Sequence, residues 1–232
     1  MMTLTRFGLR EWGSALVVAL ILWSGCYALI RCGHPVAGWS LAAFVALVLF
    51  AFCAFFRNPV RTIPSDPLAV TSPADGVVRD ITYLDSFEQF PEGVKTVRIG
   101  IFLSVLNVHV NRTPVAMQVL SKHYRPGEYL DARNPDAGKR NEAMTIAGVS
   151  TERDNFPVAV RQISGAIARR IVCPDCVGAK FAKGYVYGMI KFGSRTELYL
   201  PADQVKVLVH VGDAVKGGES ILAEIVSQGE TK

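Results

Sequence analysis

Three residues of this chain have the side-chain types of nucleophilic catalysis: Asp75, His109 and Ser194. A serine hydroxyl is a poor nucleophile until a base takes its proton, and the base works best when a third group orients it. Ser194 follows Gly193 within Met189-Ile-Lys-Phe-Gly-Ser-Arg-Thr-Glu-Leu198, between two runs that read as β-strand. Alone, a Gly-Ser pair reads as a turn or a bulge. Asp75 lies beside Gly76 in Ser72-Pro-Ala-Asp-Gly76, which alone reads as a tight turn. His109 stands near the end of the apolar run Phe102–Val110, where an imidazole is commonly a hydrogen-bonded core residue. His34, His123 and His210 have weaker contexts. No Gly-x-Ser-x-Gly elbow surrounds Ser194, which argues against an α/β-hydrolase. A Gly-Ser bond inside β-structure offers the same trio another use, in which the hydroxyl attacks its own preceding carbonyl.

The elements that must position these residues are mainly strands. Pro59, Pro64, Pro67 and Pro73 punctuate a linker. Alternating runs then predict strands over 76–83, 94–103, 117–124, 144–150, 158–163, 185–192, 196–200 and 205–208. Gly127–Glu142, polar and containing Gly and Pro, reads as a surface loop, and Ser164–Ile171 as a short helix. Val209–Ala223 carries a V-x-x-G-x-x-V-x-x-G-x-x-I cadence like the half-repeats of biotinyl/lipoyl-type barrel-sandwich domains. Ser72–Val78 reads as its complementary strand, but no M-K-M-like hairpin tip offers a lysine to carry a cofactor. The expected fold class is mainly β (α+β), a β-rich domain with barrel-sandwich-like features.

An N-terminal hydrophobic helical hairpin precedes that domain. Half of the residues are hydrophobic, and the excess lies before Arg57, in two uncharged runs over 14–30 and 35–56 joined by Arg31-Cys-Gly-His34. A span takes about 20 apolar residues, which both runs approach or meet. Two runs with a tight turn do not resemble a secretory signal. Arg6 and Arg10 before the hairpin and Arg57 and Arg61 after it put both ends on the cytoplasmic side, against the weaker contrary signal of Arg31. The expected division is a membrane-anchoring hairpin over 1–56 and a catalytic domain over 57–232, on the cytoplasmic face of the inner membrane. The net charge of +5 suits an anionic membrane surface; no nucleic-acid motif accompanies it. Cys173-x-x-Cys176 lacks the second ligand pair of a structural zinc site, so no metal is expected and the two thiols read as incidental.

Several of these stretches together resemble the short bacterial-type phosphatidylserine decarboxylase proenzymes. They are Phe56-Arg-Asn-Pro59, Ser72-Pro-Ala-Asp-Gly76, Leu106-Asn-Val-His-Val-Asn-Arg112, Asn141-Glu142, Ile167-Ala-Arg-Arg-Ile171 and Lys191-Phe-Gly-Ser194. The resemblance implies a zymogen that cleaves itself between Gly193 and Ser194 into a 1–193 β chain and a 194–232 α chain, which stay together as a heterodimer. Ser194 becomes a pyruvoyl group, with His109 matching the base that activates it and Asp75 the acid that orients His109. The implied reaction is decarboxylation of phosphatidylserine in the membrane to phosphatidylethanolamine, with the substrate amine held as a Schiff base. His109 would then protonate the carbanion.

Two departures stand out. Some longer relatives carry a second His three positions before the one matched by His109, where this chain has Leu106; and Gly184 is followed by Tyr185 rather than by an acidic or amide residue. Arg112 is a candidate phosphate contact by charge alone. Self-association into a homo-oligomer is left open. The competing readings are a membrane-tethered barrel-sandwich adaptor without catalysis and a hydrolase using Ser194 as an ordinary nucleophile.

Overall fold

The computed structural model describes residues 2–134, 136–154, 156–166, 170–191 and 194–226. They form two compact units that divide between Val60 and Arg61.

The first unit is a helical hairpin: β1 (Met2–Leu4), α1 (Leu9–Arg31), α2 (Pro35–Phe55) and β2 (Arg57–Pro59). Pro35 opens α2 at a position where its missing N–H is no loss. Gly33, at φ 89°, makes the left-handed turn between the helices. Gly38 lets them close: a Cβ there would lie 2.9 Å from the Cys26 carbonyl oxygen and 2.5 Å from Ile30 Cγ1. At its base β1 pairs with β2, Thr3 opposite Asn58, so the strand after α2 belongs with the hairpin. Both helices are long and apolar enough to cross a membrane, and most of their large side chains, among them Ile21, Phe44 and Phe50, are exposed. An apolar surface of that extent needs lipid or a protein partner. The two helices are thus compatible with membrane association.

The second unit is strand-rich. Its elements are β3 (Ala69–Thr71), β4 (Gly76–Leu84), β5 (Thr96–Leu103), β6 (Val110–Arg112), β7 (Met117–Arg125), α3 (Ala137–Arg140), β8 (Ala143–Ser150) and β9 (Pro157–Ile163). After these come β10 (Arg170–Val172), β11 (Lys180–Phe181), β12 (Val186–Lys191), β13 (Ser194–Pro201), β14 (Val205–Val207), β15 (Ala214–Val215) and β16 (Ile221–Ile225). A curled sheet of eight strands runs in the order β11-β7-β8-β9-β13-β5-β4-β15, every pairing antiparallel. Two three-stranded sheets accompany it, β10-β12-β6 and β14-β16-β3.

Period-two alternation explains the layers. Along β13, Leu198 and Leu200 enter the main core with Ile99, Ile101 and Leu103 of β5 and Val158 and Val160 of β9, while Tyr199 joins Phe87 and Phe90 on the opposite face. Val70 of β3 and Leu222 of β16 close the main core from the smaller sheet. Val209–Ala223 folds against Ser72–Val78: Val215 pairs with Gly76, and Ser72 N donates to the Ser220 carbonyl at 2.8 Å. The mainly β class with a helical hairpin is the observed architecture.

Two elements differ from expectation: Gly127–Glu142, expected as a loop, carries the one-turn helix α3, and a predicted helix gives way to a strand. The helix predicted over Ser164–Ile171 is absent from the described residues of that stretch: residues 164–166 are irregular and Arg170–Val172 is a strand. Ile171 and Val172 have a ready partner in Ile190 and Met189 of β12, and pairing on a half-buried surface suits β-branched side chains better than a short helix with few apolar positions. Residues 167–169 lie outside the described residues.

The polar segment 127–142 is tied down by Arg125, which donates to the Gly138 carbonyl at 2.7 Å, and by a buried amide. Asn141, fully buried, accepts from Leu130 N at 2.9 Å and donates to the carbonyls of Leu130 and Ser164, both at 2.8 Å. Asn141→Ala strands three buried backbone groups, so it is expected to cost about 3 kcal/mol and lower the melting temperature by roughly 6–12 °C. Thermal unfolding in detergent, followed by tryptophan and tyrosine fluorescence, measures this.

Candidate active site

Ser194 opens β13 and pairs with Leu103, the last residue of β5. From Leu103 the chain makes a turn: Asn107 N donates to the Ser104 carbonyl, and Asn107 Oδ1 accepts from Ser104 N and Ser104 Oγ, both at 2.8 Å. Asn closes such turns well because its amide mimics a backbone group. The turn sends the chain back across the sheet, so that His109 arrives at the head of β6.

Two further contacts set the register of β6. Its neighbour in the small sheet, β12, runs antiparallel to it, and Ile190 N donates to the His109 carbonyl at 3.1 Å. Across the layer, Asn111 Nδ2 donates to Thr196 Oγ1 at 3.0 Å, and Gln162 Nε2 donates to Asn111 Oδ1 at 2.8 Å. His109 precedes Asn111 by two residues and Ser194 precedes Thr196 by two. The two segments that carry His109 and Ser194 therefore face one another at the same end of the sheet.

Ser194 and His109 are both fully buried. Ser194 Oγ has no hydrogen-bond partner among the described residues. His109 Nδ1 is 2.9 Å from the Asn107 carbonyl oxygen. A carbonyl only accepts, so Nδ1 carries the proton in a neutral ring and Nε2 keeps the lone pair a base requires. Gly193 and Phe192 lie outside the described residues, so the predicted cleavage bond is described only from its Ser194 side.

Asp75 sits at the start of β4, and its segment is joined to β6 where Arg112 N donates to the Pro73 carbonyl at 2.9 Å. Its carboxylate accepts two bonds from Arg61 Nη2, at 2.9 and 2.7 Å, and one from Gly217 N at 2.8 Å. Arg61 also donates to Glu219 at 3.1 Å. The carboxylate thus faces Arg61 and Gly217. Arg112 is buried, donates to the Gly184 carbonyl at 2.9 Å, and is held below its ordinary pKa by burial and by the nearby Arg61 charge. That position is not an open phosphate contact. Leu106, the residue in place of a second His, is exposed.

Asn111, Gln162, Asn107 and Arg61 were not singled out from sequence. Gln162 had a signal: in Val158-Ala-Val-Arg-Gln-Ile163 it shares the inward parity of Val158 and Val160, an amide where alternation asks for an apolar residue. Arg61 had none, because its partners Asp75 and Glu219 are brought to it only by the fold.

The outer face of β13 is also charged, and there the groups are paired. Arg195 donates to Asp80 at 2.8 Å and to Glu197 at 2.9 Å, and Tyr199 donates to Glu197 at 2.6 Å. Gly100 of β5 makes this possible, since a Cβ there would lie 2.1 Å from Arg195 Nη2. Burial opposes ionisation of Asp80, but the hydrogen bond and charge of Arg195, with help from Arg98, outweigh it and hold the carboxyl below its ordinary 3.8.

Residues 48–223 match the family described as phosphatidylserine decarboxylase. The phosphatidylserine decarboxylase proenzyme of Carboxydothermus hydrogenoformans is 45% identical over 182 residues, 78% of this chain and 83% of its own. That of Geotalea daltonii is 41% identical over 196 residues, 84% of this chain and 89% of its own. That of Geobacter sulfurreducens is 41% identical over 189 residues, covering 82% and 84%.

Because the folded pKa of Asp80 is depressed, its contribution to stability is complete above 3.8 and is lost as pH falls through the lower folded value. Urea midpoints of the wild type and Asp80→Asn are expected to differ at neutral pH and to converge steadily as the pH is taken below 3.8.

Proposed function

This chain belongs to the phosphatidylserine decarboxylase family, and on that premise we propose that it is a membrane-anchored proenzyme that cleaves itself at Gly193–Ser194 and decarboxylates phosphatidylserine to phosphatidylethanolamine. The observation that carries the reading is Ser194 Oγ: a fully buried hydroxyl with no partner among the described residues, on a strand facing the one that His109 precedes. A structural serine in that position would be expected to make a hydrogen bond. One held in reserve for chemistry fits the pyruvoyl group this family forms from serine.

In this reading His109 Nε2 takes the proton of Ser194 Oγ as the oxygen attacks the Gly193 carbonyl carbon. The C–N bond breaks as nitrogen is protonated, leaving Gly193 esterified to the side chain. Loss of the Ser194 α-proton then expels the Gly193 carboxylate, and water replaces the α-nitrogen, which departs as ammonia. The products are a 1–193 β chain and a 194–232 α chain beginning with a ketone, packed as one heterodimer. The Asn107 carbonyl fixes the tautomer of His109, and Asp75, held by Arg61 and Gly217, is the proposed acid of the trio. Once formed, the pyruvoyl group supplies a carbonyl that takes up an amine and draws electrons from the departing carboxylate. His109 is then placed to return a proton to the α-carbon.

The hairpin is proposed to anchor the chain in the inner membrane with the catalytic unit on the cytoplasmic face, as Arg6, Arg10, Arg57 and Arg61 favour.

Intact mass of the purified protein tests this. The wild type is expected as two chains, the smaller starting at residue 194 with a ketone in place of its amine, and Ser194→Ala as one. His109→Gln should slow cleavage at least about 100-fold, the usual scale for losing a general base. A single whole chain in every sample would leave the non-catalytic membrane adaptor as the better account.

A further inference from the structure

The proposed trio accounts for cleavage and proton transfer but supplies nothing that recognises the substrate amine. On the inner face of β9 and β13, and just past the end of β9, three buried polar atoms have no hydrogen-bond partner among the described residues: Ser194 Oγ, Gln162 Oε1 and Ser164 Oγ. All three residues are fully buried. Unpaired atoms of this kind are rare singly, and a group of them calls for a ligand or a reaction.

Their grouping follows from register. β9 and β13 pair antiparallel with Gln162 opposite Thr196 and Ile163 opposite Arg195. One step back along β13 lies Ser194, and just past the end of β9 lies Ser164. Alternation puts Gln162, Ser194 and Thr196 on one face. Diagonal neighbours on such a face lie roughly 7–8 Å apart, within reach of a glutamine side chain.

The orientation of Gln162 follows from its partners. Asn111 Nδ2 donates to Thr196 Oγ1 at 3.0 Å and faces the Pro73 carbonyl oxygen at 3.5 Å, which can only accept. Asn111 therefore turns its Oδ1 toward Gln162, which answers with its own Nε2 at 2.8 Å. The Gln162 carbonyl oxygen ends the chain as an acceptor with nothing to accept. Gly188 of β12 leaves it room: a Cβ there would lie 3.0 Å from Gln162 Nε2 and 2.6 Å from the Val172 carbonyl oxygen.

A fixed acceptor on the face that carries position 194 calls for a donor, and a primary amine brings N–H groups. We infer that Gln162 is a substrate-binding residue whose Oε1 accepts an N–H of the aminophospholipid head group as the amine approaches position 194. The inference rests on the decarboxylase reading. It gives a role to the Thr196–Asn111–Gln162 chain, which would hold the acceptor rigid at no rotational cost on binding.

The test uses the full chain in detergent as wild type, Gln162→Met and Gln162→Asn. Methionine keeps the length of the side chain without an acceptor, and asparagine keeps the amide one methylene short. Intact mass reports cleavage and the ketone, and thermal unfolding reports structure. Glycerophosphoserine is then offered with cyanoborohydride: the amine condenses with the ketone, losing water, and hydride fixes it to the 194–232 fragment. Both variants are expected to cleave, because the Asn111–Thr196 bond that aligns β6 with β13 is kept, and to melt within roughly 10 °C of wild type. Half-saturation for capture and the KM for phosphatidylserine should rise at least about tenfold, with kcat changing less. Unchanged half-saturation and KM in either cleaved variant overturns the inference. So does failure of both variants to cleave, which would place Gln162 in folding or processing. A wild-type chain that stays whole sinks the decarboxylase reading, and this one with it.

Discussion

The catalytic unit depends on one buried amide. Asn111 of β6 reaches two strands that no backbone pairing joins to β6: β13 through Thr196 and β9 through Gln162. A side-chain hydrogen bond in a dry interior is electrostatically stronger than in water and more costly to leave unmade. The chain of three side chains therefore sets one register between the small sheet β10-β12-β6 and the large one. Hydrophobic contact alone would hold these layers together without choosing among neighbouring registers, since it is non-directional. His109 lies two residues from that amide and Ser194 two residues from its partner, so the alignment of their two segments is set there.

The two faces of β13 show how satisfied and unsatisfied polar groups are divided. Outward, Arg195, Glu197 and Tyr199 are matched to Asp80, Arg98 and Arg161 in a charged layer. Inward, Ser194 Oγ and the nearby Ser164 Oγ and Gln162 Oε1 have no partner among the described residues. The paired face stiffens the strand on which the unpaired face presents its hydroxyl. A polar group ready to react cannot also be fully bonded, so its cost is carried by the packing around it.

Much of this was legible beforehand, and the reason is periodicity. Alternation over 158–163 and 196–200 marks strands because one face meets a core, whatever that core turns out to be. Two apolar runs near 20 residues mark a helical hairpin by length alone. The trio was legible as residue types, and the short stretches around it as a family resemblance that the matching relatives support. The misjudged segment, Ser164–Ile171, shows the limit. Its few apolar positions fit two periods, and the choice of strand for Ile171 and Val172 belongs to β12, which lies in a later part of the chain.

Sequence by itself thus determined what is local: the strand faces, the hairpin, the Gly-Ser pair and the chemical types at positions 75, 109 and 194. Only the tertiary structure decided what each polar group meets. It turned Asp75 toward Arg61 and Gly217, gave His109 its tautomer through Asn107, and left Gln162 with an acceptor to spare. Hydrogen bonds are directional and act over about 3 Å, so their partners are set by how distant segments come to lie together and not by spacing along the chain.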